Sequence, residues 1–365
     1  MKAFKNKKQE LRLWGALLWA GFWLWSFAPL VAQQEAQFTQ YQFNTLVFNP
    51  GYAGSKDHLS MVALYRDQWL GWGGGDAGLT TNDGRPVTMT FSVHTPIQKR
   101  VGIGLNIVRD KIGVHTSTGV DLVYAYRIKF GEGTLSLGLQ GGIMNWKTDW
   151  STLNFRDPRA TDLAFADLTP SLFLPRFGGG VYFYTDRFYV GLSIPNMVSF
   201  DLRKKDPDQP SEFQKIASTY PHFYVALGSA FPINGDDLVF KPSVLMKSVG
   251  LFGEFFTQST SVKTVGAPTA LELDLSLMFF RKIWVGGSFR TAFEAFAGGD
   301  KVADSSHSSV NARLALYLPK GLHVGFAYDY PLNGLANYVT GSFELMVGYE
   351  FAFLYDKMQS PRYFD

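Results

Sequence analysis

The residues able to do chemistry are few and scattered. Six histidines stand at His58, His94, His115, His222, His307 and His323, with none of the spacings that bring two imidazoles to one metal ion. There is no cysteine, which removes thiolate metal sites, thiol nucleophiles and disulfides. No nucleophile-elbow sequence and no phosphate-cradling glycine loop occurs. Serine and aspartate are plentiful, so residue types alone leave a triad open. His94 and His323 sit at polar strand positions and read as structural or turn-bonding histidines rather than bases. The chemistry that remains is ion pairing. Asp121, Arg127, Glu272, Asp274, Arg313, Asp329 and Glu344 each stand within an alternating, largely apolar stretch. The reading is of a chain that is not an enzyme and takes no cofactor or metal.

Those charges need elements that hold them away from lipid. The last such element, Ser342–Phe351, alternates strictly. Phe343, Leu345, Val347, Tyr349 and Phe351 share one face, and Glu344, Met346, Gly348 and Glu350 the other. Leu271, Leu273, Leu275, Leu277 and Phe279 likewise oppose Glu272, Asp274 and Ser276. Leu322, Val324, Phe326, Tyr328 and Tyr330 oppose His323, Gly325, Ala327 and Asp329. Val120, Leu122, Tyr124, Tyr126 and Ile128 oppose Asp121 and Arg127. A period of two is that of a strand with one apolar face.

Fourteen such strands are expected, near 57–66, 87–95, 100–109, 117–129, 133–146, 175–184, 187–194, 221–231, 237–247, 268–280, 283–293, 309–318, 321–330 and 341–352. Most have the length that a tilted strand needs to cross a bilayer. A soluble sandwich has the same period, with its charged faces in water. Export, strand length and the even count favour an all-β, transmembrane antiparallel β-barrel. In it the charges face inward or sit at strand ends. Gly102, Gly104, Gly138, Gly142, Gly178, Gly179 and Gly180 would relieve crowding within the wall or lumen.

The export reading rests on residues 1–32. Lys2, Lys5, Lys7 and Lys8 precede a largely apolar stretch from Leu11 to Leu30, and Leu30-Val31-Ala32 offers a cleavage point before Gln33. A membrane anchor is the alternative, but Arg12 shortens the apolar run to about 18 residues, near the lower limit for spanning. With no cysteine, a lipidated start is not expected. The whole chain carries 34 Lys and Arg against 31 Asp and Glu. Without the leader the balance is 29 to 30, so the basicity belongs to the leader and nucleic acid is not an expected partner.

The expected organisation is a signal peptide at 1–32, a periplasmic or plug segment at 33–56, the barrel at 57–353 and a periplasmic tail at 354–365. Phe38, Tyr41, Phe43, Leu46, Val47 and Phe48 are too apolar for a solvated tail, so the segment should plug or line the periplasmic mouth or bind a partner there. Compact turns are expected at Pro96–Lys99, Phe130–Gly133, Thr185–Arg187, Pro232–Asp236, Arg281–Lys282 and Pro319–Gly321, all after even strands and hence periplasmic. The odd connections are mostly longer and would be extracellular.

Several motifs resemble the PorP/SprF family of outer-membrane proteins. They are Phe38-Thr39-Gln40-Tyr41, Phe48-Asn49-Pro50-Gly51-Tyr52-Ala53-Gly54-Ser55, Tyr65-Arg66-Asp67-Gln68-Trp69, His94-Thr95-Pro96 and Ser360-Pro361-Arg362-Tyr363-Phe364. Gly51 departs mildly from the family's usual small residue. The resemblance implies a role in the type IX secretion and gliding machinery of Bacteroidota. The implied partner is an exported adhesin with a type IX C-terminal domain, alongside periplasmic or lipoprotein components and outer-membrane lipid. A dedicated anchor is favoured over a core secretion component; a solute channel or small-molecule transporter is the alternative. The resemblance also marks candidate structural or partner-binding residues. Asn49, Pro50, Tyr52, Ala53 and Gly54 would fix the periplasmic mouth. Arg66, Gln68 and Trp69 would end the first strand near the outer rim. Pro361, Arg362, Tyr363 and Phe364 would bind periplasmic machinery.

Overall fold

The structure is a computed structural model that describes residues 36–72, 84–150, 170–198, 221–235, 237–249, 269–292 and 308–351. The leader and the C-terminal tail lie outside these residues. Fifteen β elements follow one another: β1 Leu59–Leu70, β2 Val87–Gln98, β3 Val101–Ile112, β4 His115–Phe130, β5 Gly133–Thr148, β6 Ser171–Tyr184, β7 Phe188–Ile194, β8 His222–Ser229, β9 Phe231–Asn234, β10 Leu238–Val249, β11 Ala270–Phe279, β12 Ile283–Ala292, β13 Ser309–Tyr317, β14 Leu322–Pro331 and β15 Gly341–Phe351. β8 and β9 are two halves of one stave, interrupted at Ala230, and both pair with β10. The wall therefore has fourteen staves.

Each stave pairs antiparallel with its sequence neighbours, and β1 also pairs with β15, Arg66 opposite Glu344. The ladder closes on itself. In lipid this is the only sheet that leaves no edge unpaired. With an even number of staves, the start of β1 and the end of β15 lie on one side, the periplasmic side of an outer-membrane barrel.

The alternation read from sequence separates the two faces. Leu122, Leu139, Leu275, Phe326 and Leu345 point out into lipid, while Asp121, Arg127, Glu272, Asp274, Arg313, Asp329 and Glu344 are all buried on the inner side. An outward charge at mid-membrane would cost about 2–4 kcal/mol, which is why the inner face takes them all.

Strand edges differ from the sequence reading mainly at turns. β2 continues through Pro96 to Gln98, and Pro96 pairs with Gly102. The ladder slips by one residue beyond Pro96, which has no N–H to donate. The expected four-residue turn Pro96–Lys99 thus shrinks to Lys99–Arg100. Phe130 and Gly133 likewise belong to β4 and β5, leaving Gly131, with φ of 60°, and Glu132 to turn the chain. Pro232, Ile233 and Asn234 extend the eighth stave rather than forming a turn.

Leu139 lies midway along the lipid face of β5 and is 66% exposed to the surroundings of the barrel. Leu139→Lys is expected to destabilise the barrel by about 2–4 kcal/mol in denaturant titrations in lipid vesicles, with Leu139→Phe near neutral. An unchanged midpoint for the lysine variant would place this face away from lipid.

Candidate inner binding site for the N-terminal segment

Residues 37–57 run against the inner face of the barrel. The segment has two 3₁₀ turns, Thr45–Val47 and Pro50–Tyr52. Its outer part meets the inward charges. Thr39 N–H donates to Glu344 Oε2 at 2.9 Å and Gln40 N–H to Glu344 Oε1 at 2.7 Å. Thr39 Oγ1 donates to Asp329 Oδ2 at 2.6 Å. Arg66 bridges the same two carboxylates, Nη2 at 2.6 Å from Asp329 and Nη1 at 3.2 Å from Glu344. Arg290 pairs with Glu272 at 2.8 Å and donates to the Phe38 carbonyl at 3.3 Å. Arg313 pairs with Asp274, and its Nη1 reaches the Thr39 carbonyl at 3.4 Å. Gln42 Nε2 donates to Asp274 Oδ1 at 2.8 Å. Burying these charges is costly, and it becomes tolerable because each has an ionic partner and all but Glu272 also share a hydrogen bond with the segment.

The middle part exchanges neutral bonds with the opposite wall. Asn44 Nδ2 donates to Thr90 Oγ1 at 2.8 Å, and Ser92 Oγ donates to Asn44 Oδ1 at 2.7 Å. Asn106 Nδ2 donates to the Leu46 carbonyl at 2.9 Å, and Ser193 Oγ to the Phe48 carbonyl at 2.6 Å. Tyr41, Leu46, Phe48, Tyr52 and Ala53 form an apolar cluster with Val123, Ala125, Tyr182, Tyr184, Tyr189, Tyr224 and Ala226 of the wall. Burial holds the Tyr41 phenol well above its usual pKa, so it stays neutral.

Asn49, Pro50, Tyr52, Ala53 and Gly54 lie together where the segment presses on β3, β5 and β6. Asn49 Oδ1 caps the second turn by accepting from Gly51 N–H at 2.9 Å, and its Nδ2 donates to the Val181 carbonyl at 3.1 Å. Tyr52 stands edge-on to His94 and to Tyr182, with ring centroids 5.2 and 5.3 Å away. Gly54 N–H donates to His94 Nδ1 at 3.1 Å, which makes this histidine a structural acceptor. The wall gives way to the turn through missing side chains. A Cβ on Gly138 would lie 2.1 Å from Gly51 N, and one on Gly102 would lie 2.2 Å from the Ala53 carbonyl oxygen.

The segment ends at the periplasmic side. Lys56 Nζ binds Glu350 Oε1 at 2.7 Å. Burial opposes the lysine charge, but the Glu350 carboxylate prevails and holds its pKa above the usual value. Arg127 secures Asp57 at 2.7 Å.

Of the remaining sequence candidates, Arg66 is buried in the inner network, paired with Asp329. Gln68 N–H donates to the Pro86 carbonyl at 2.9 Å. Trp69 sits at a bulge with φ of 60°, donates from its N–H to Ser342 Oγ at 3.2 Å, and lies 6.1 Å from Trp72. Pro361, Arg362, Tyr363 and Phe364 lie outside the described residues. Thr39, Gln40, Gln42 and Asn44 were not among the sequence candidates, although they supply most of the segment's polar contacts. Their signal is amides and hydroxyls interleaved with the aromatics of 38–48. Among the described residues no three His, Asp or Glu side chains come together as a metal site.

Two substitutions test this packing. Gly138→Ala, which must push against segment backbone, is expected to cost about 1–3 kcal/mol in unfolding titrations. Gly141→Ala on the same strand, where a Cβ would meet its nearest neighbour at 3.8 Å, should have no effect. Arg66→Met strands two buried carboxylates and is expected to cost roughly 3–5 kcal/mol. Equal stability of all three variants would contradict the contacts described.

Solved structures with a similar barrel include Acinetobacter baumannii Omp33, at 9% identity and a TM-score of 0.42, covering 81% of this chain and 100% of that one. A Pseudomonas aeruginosa FadL homologue has 12% identity and a TM-score of 0.42, with 85% and 94% covered. The Ralstonia pickettii toluene transporter TbuX has 11% identity and a TM-score of 0.46, with 83% and 92% covered. Likeness at this distance carries nothing about function. No curated protein matches the chain. The family model for the type IX secretion system membrane protein PorP/SprF matches residues 30–349, within which the segment, its glycine cradles and nearly the whole barrel fall. The chain therefore belongs to the PorP/SprF family of type IX secretion system membrane proteins.

Proposed function

We propose that this barrel holds an exported cell-surface adhesin at the outer membrane by binding its type IX C-terminal domain. The observation that carries the reading is the set of contacts made by residues 37–57. They tie the lumen's own charges to the protein's own backbone, from Arg290 near the outer end to Glu350 at the periplasmic end. A segment fixed in this way acts as a plug and leaves a solute little route. That favours a binding role over a channel, within a family of secretion-system membrane components. The protein is not an enzyme.

In this reading the adhesin domain docks on the extracellular rim. Aromatic side chains stand there ready as anchors: Trp69 beside Trp72, and His115 beside Trp146 and Trp150 at 5.6 and 5.8 Å. Asn49, Pro50, Tyr52, Ala53 and Gly54 serve as the clamp that seats the plug. Pro361, Arg362, Tyr363 and Phe364 engage periplasmic or lipoprotein components of the machinery.

Affinity purification from native membranes should recover one large exported protein carrying a type IX C-terminal domain, and deletion of this chain should abolish its surface display. The purified barrel should show no conductance in planar bilayers. Retained display after deletion, together with steady conductance of the intact barrel, would replace this reading with that of a solute channel.

A further inference from the structure

The outer wall of β3, β4 and β5 ends its apolar band abruptly. Outward positions on these strands run through Leu122, Leu139, Val120 and Ile143, which are 69, 66, 38 and 57% exposed. The register sets Ile107 opposite Val120 and Val120 opposite Ile143, so these three form one row across the wall. The next outward row toward the extracellular side is Arg109, Thr118 and Asn145, and the one after it Lys111, Thr116 and Lys147. Arg109 and Lys147 are exposed and Lys111 half-buried. Strand spacing places Lys111 and Lys147 about 10 Å apart across Thr116, with Arg109 about 7 Å from Lys111 along β3.

Three further facts isolate this patch. None of its cations makes an ion pair or side-chain hydrogen bond among the described residues. Among the described outward strand positions the one carboxylate is Asp67 on β1, which pairs with Arg85 at 3.6 Å, while Asp110 turns inward to accept from Thr88 Oγ1 at 2.6 Å. At the extracellular end of the other described staves, the outward positions carry no Lys or Arg. The inner arginines Arg66, Arg290 and Arg313 are engaged with carboxylates, whereas these three cations are open to a group outside the protein.

We propose that Arg109, Lys111 and Lys147 form a binding site for a phosphorylated glycolipid of the outer leaflet. Its acyl chains lie along Val120, Leu122, Leu139 and Ile143. Its phosphates meet the two cationic rows, where Thr116, Thr118 and Asn145 supply neutral hydrogen bonds. The match is in sequence along the wall: an apolar band, then unpaired positive charge at the depth where lipid phosphates begin. The site would fix the rotation and depth of the barrel in its leaflet, independently of any adhesin.

The test uses the full-length barrel in non-ionic detergent, incubated with lipid A bearing two phosphates, with the same lipid after phosphate removal, or with inorganic phosphate. Bound lipid is quantified by native mass spectrometry. The expected result is retention of the phosphorylated lipid, weakened by salt and reduced about tenfold or more in R109Q/K111Q/K147Q or on phosphate removal. K320Q, a cation exposed in a periplasmic turn, should bind as wild type. Heat-modified gel migration checks that the triple variant is folded; if it is not, K147Q alone should show a partial loss. Wild-type retention by the folded variant, or equal retention of the dephosphorylated lipid, would overturn the proposal. So would inorganic phosphate binding that the lipid fails to displace.

Discussion

A bilayer offers no hydrogen-bond partner to a peptide group, and the rest of this structure follows from that. The sheet must close, and it does so where Arg66 of β1 meets Glu344 of β15. Closure divides every strand into a lipid face and an inner face. The lipid face can take only apolar groups over its middle, so the charged side chains at that depth fall inside. The inner face then has a requirement of its own. Buried carboxylates and guanidinium groups need partners as strictly as backbone amides do.

The N-terminal segment meets that requirement. Glu344 accepts from two successive backbone N–H groups, at Thr39 and Gln40, while Arg66 balances its charge. Arg290 and Arg313 each divide their donors between a wall carboxylate and a segment carbonyl. The segment is thus part of the inner charge balance. On the other side of the lumen the fit is steric, with Gly102 and Gly138 leaving the space that Ala53, Pro50 and Gly51 fill. A wall cut to the shape of its contents suits a rigid platform. At the rim, Trp146 and Trp150 pack beside His115 instead.

Strands were legible in the sequence because their signal is local. A period of two over ten residues, as in 271–279 or 343–351, needs no knowledge of any partner. Turns were less legible, since Pro96 looks like a turn residue yet occupies a strand position beside a slipped register. The role of Arg66 was hidden for a different reason. It looked like a strand-end residue because its partners, Asp329 and Glu344, lie nearly the whole chain away. The same holds for Thr39, 305 residues from the carboxylate it binds. Only barrel closure brings such pairs together, and no local pattern reports it. The segment's apolar residues were visible as too greasy for solvent, but its amides and hydroxyls gave no hint of which wall groups they would meet.

The most direct test is proximity of the segment to the wall in the native membrane. The chain has no cysteine, so N44C and S92C introduce the only thiols. The Asn44 and Ser92 side chains now share a hydrogen bond of 2.7 Å. The account predicts that oxidation, or a short bis-thiol reagent, joins the two positions in folded barrels, and that N44C alone resists a bulky maleimide. Failure to join them, with rapid labelling of N44C in intact membranes, would show that the segment lies elsewhere and would contradict the account.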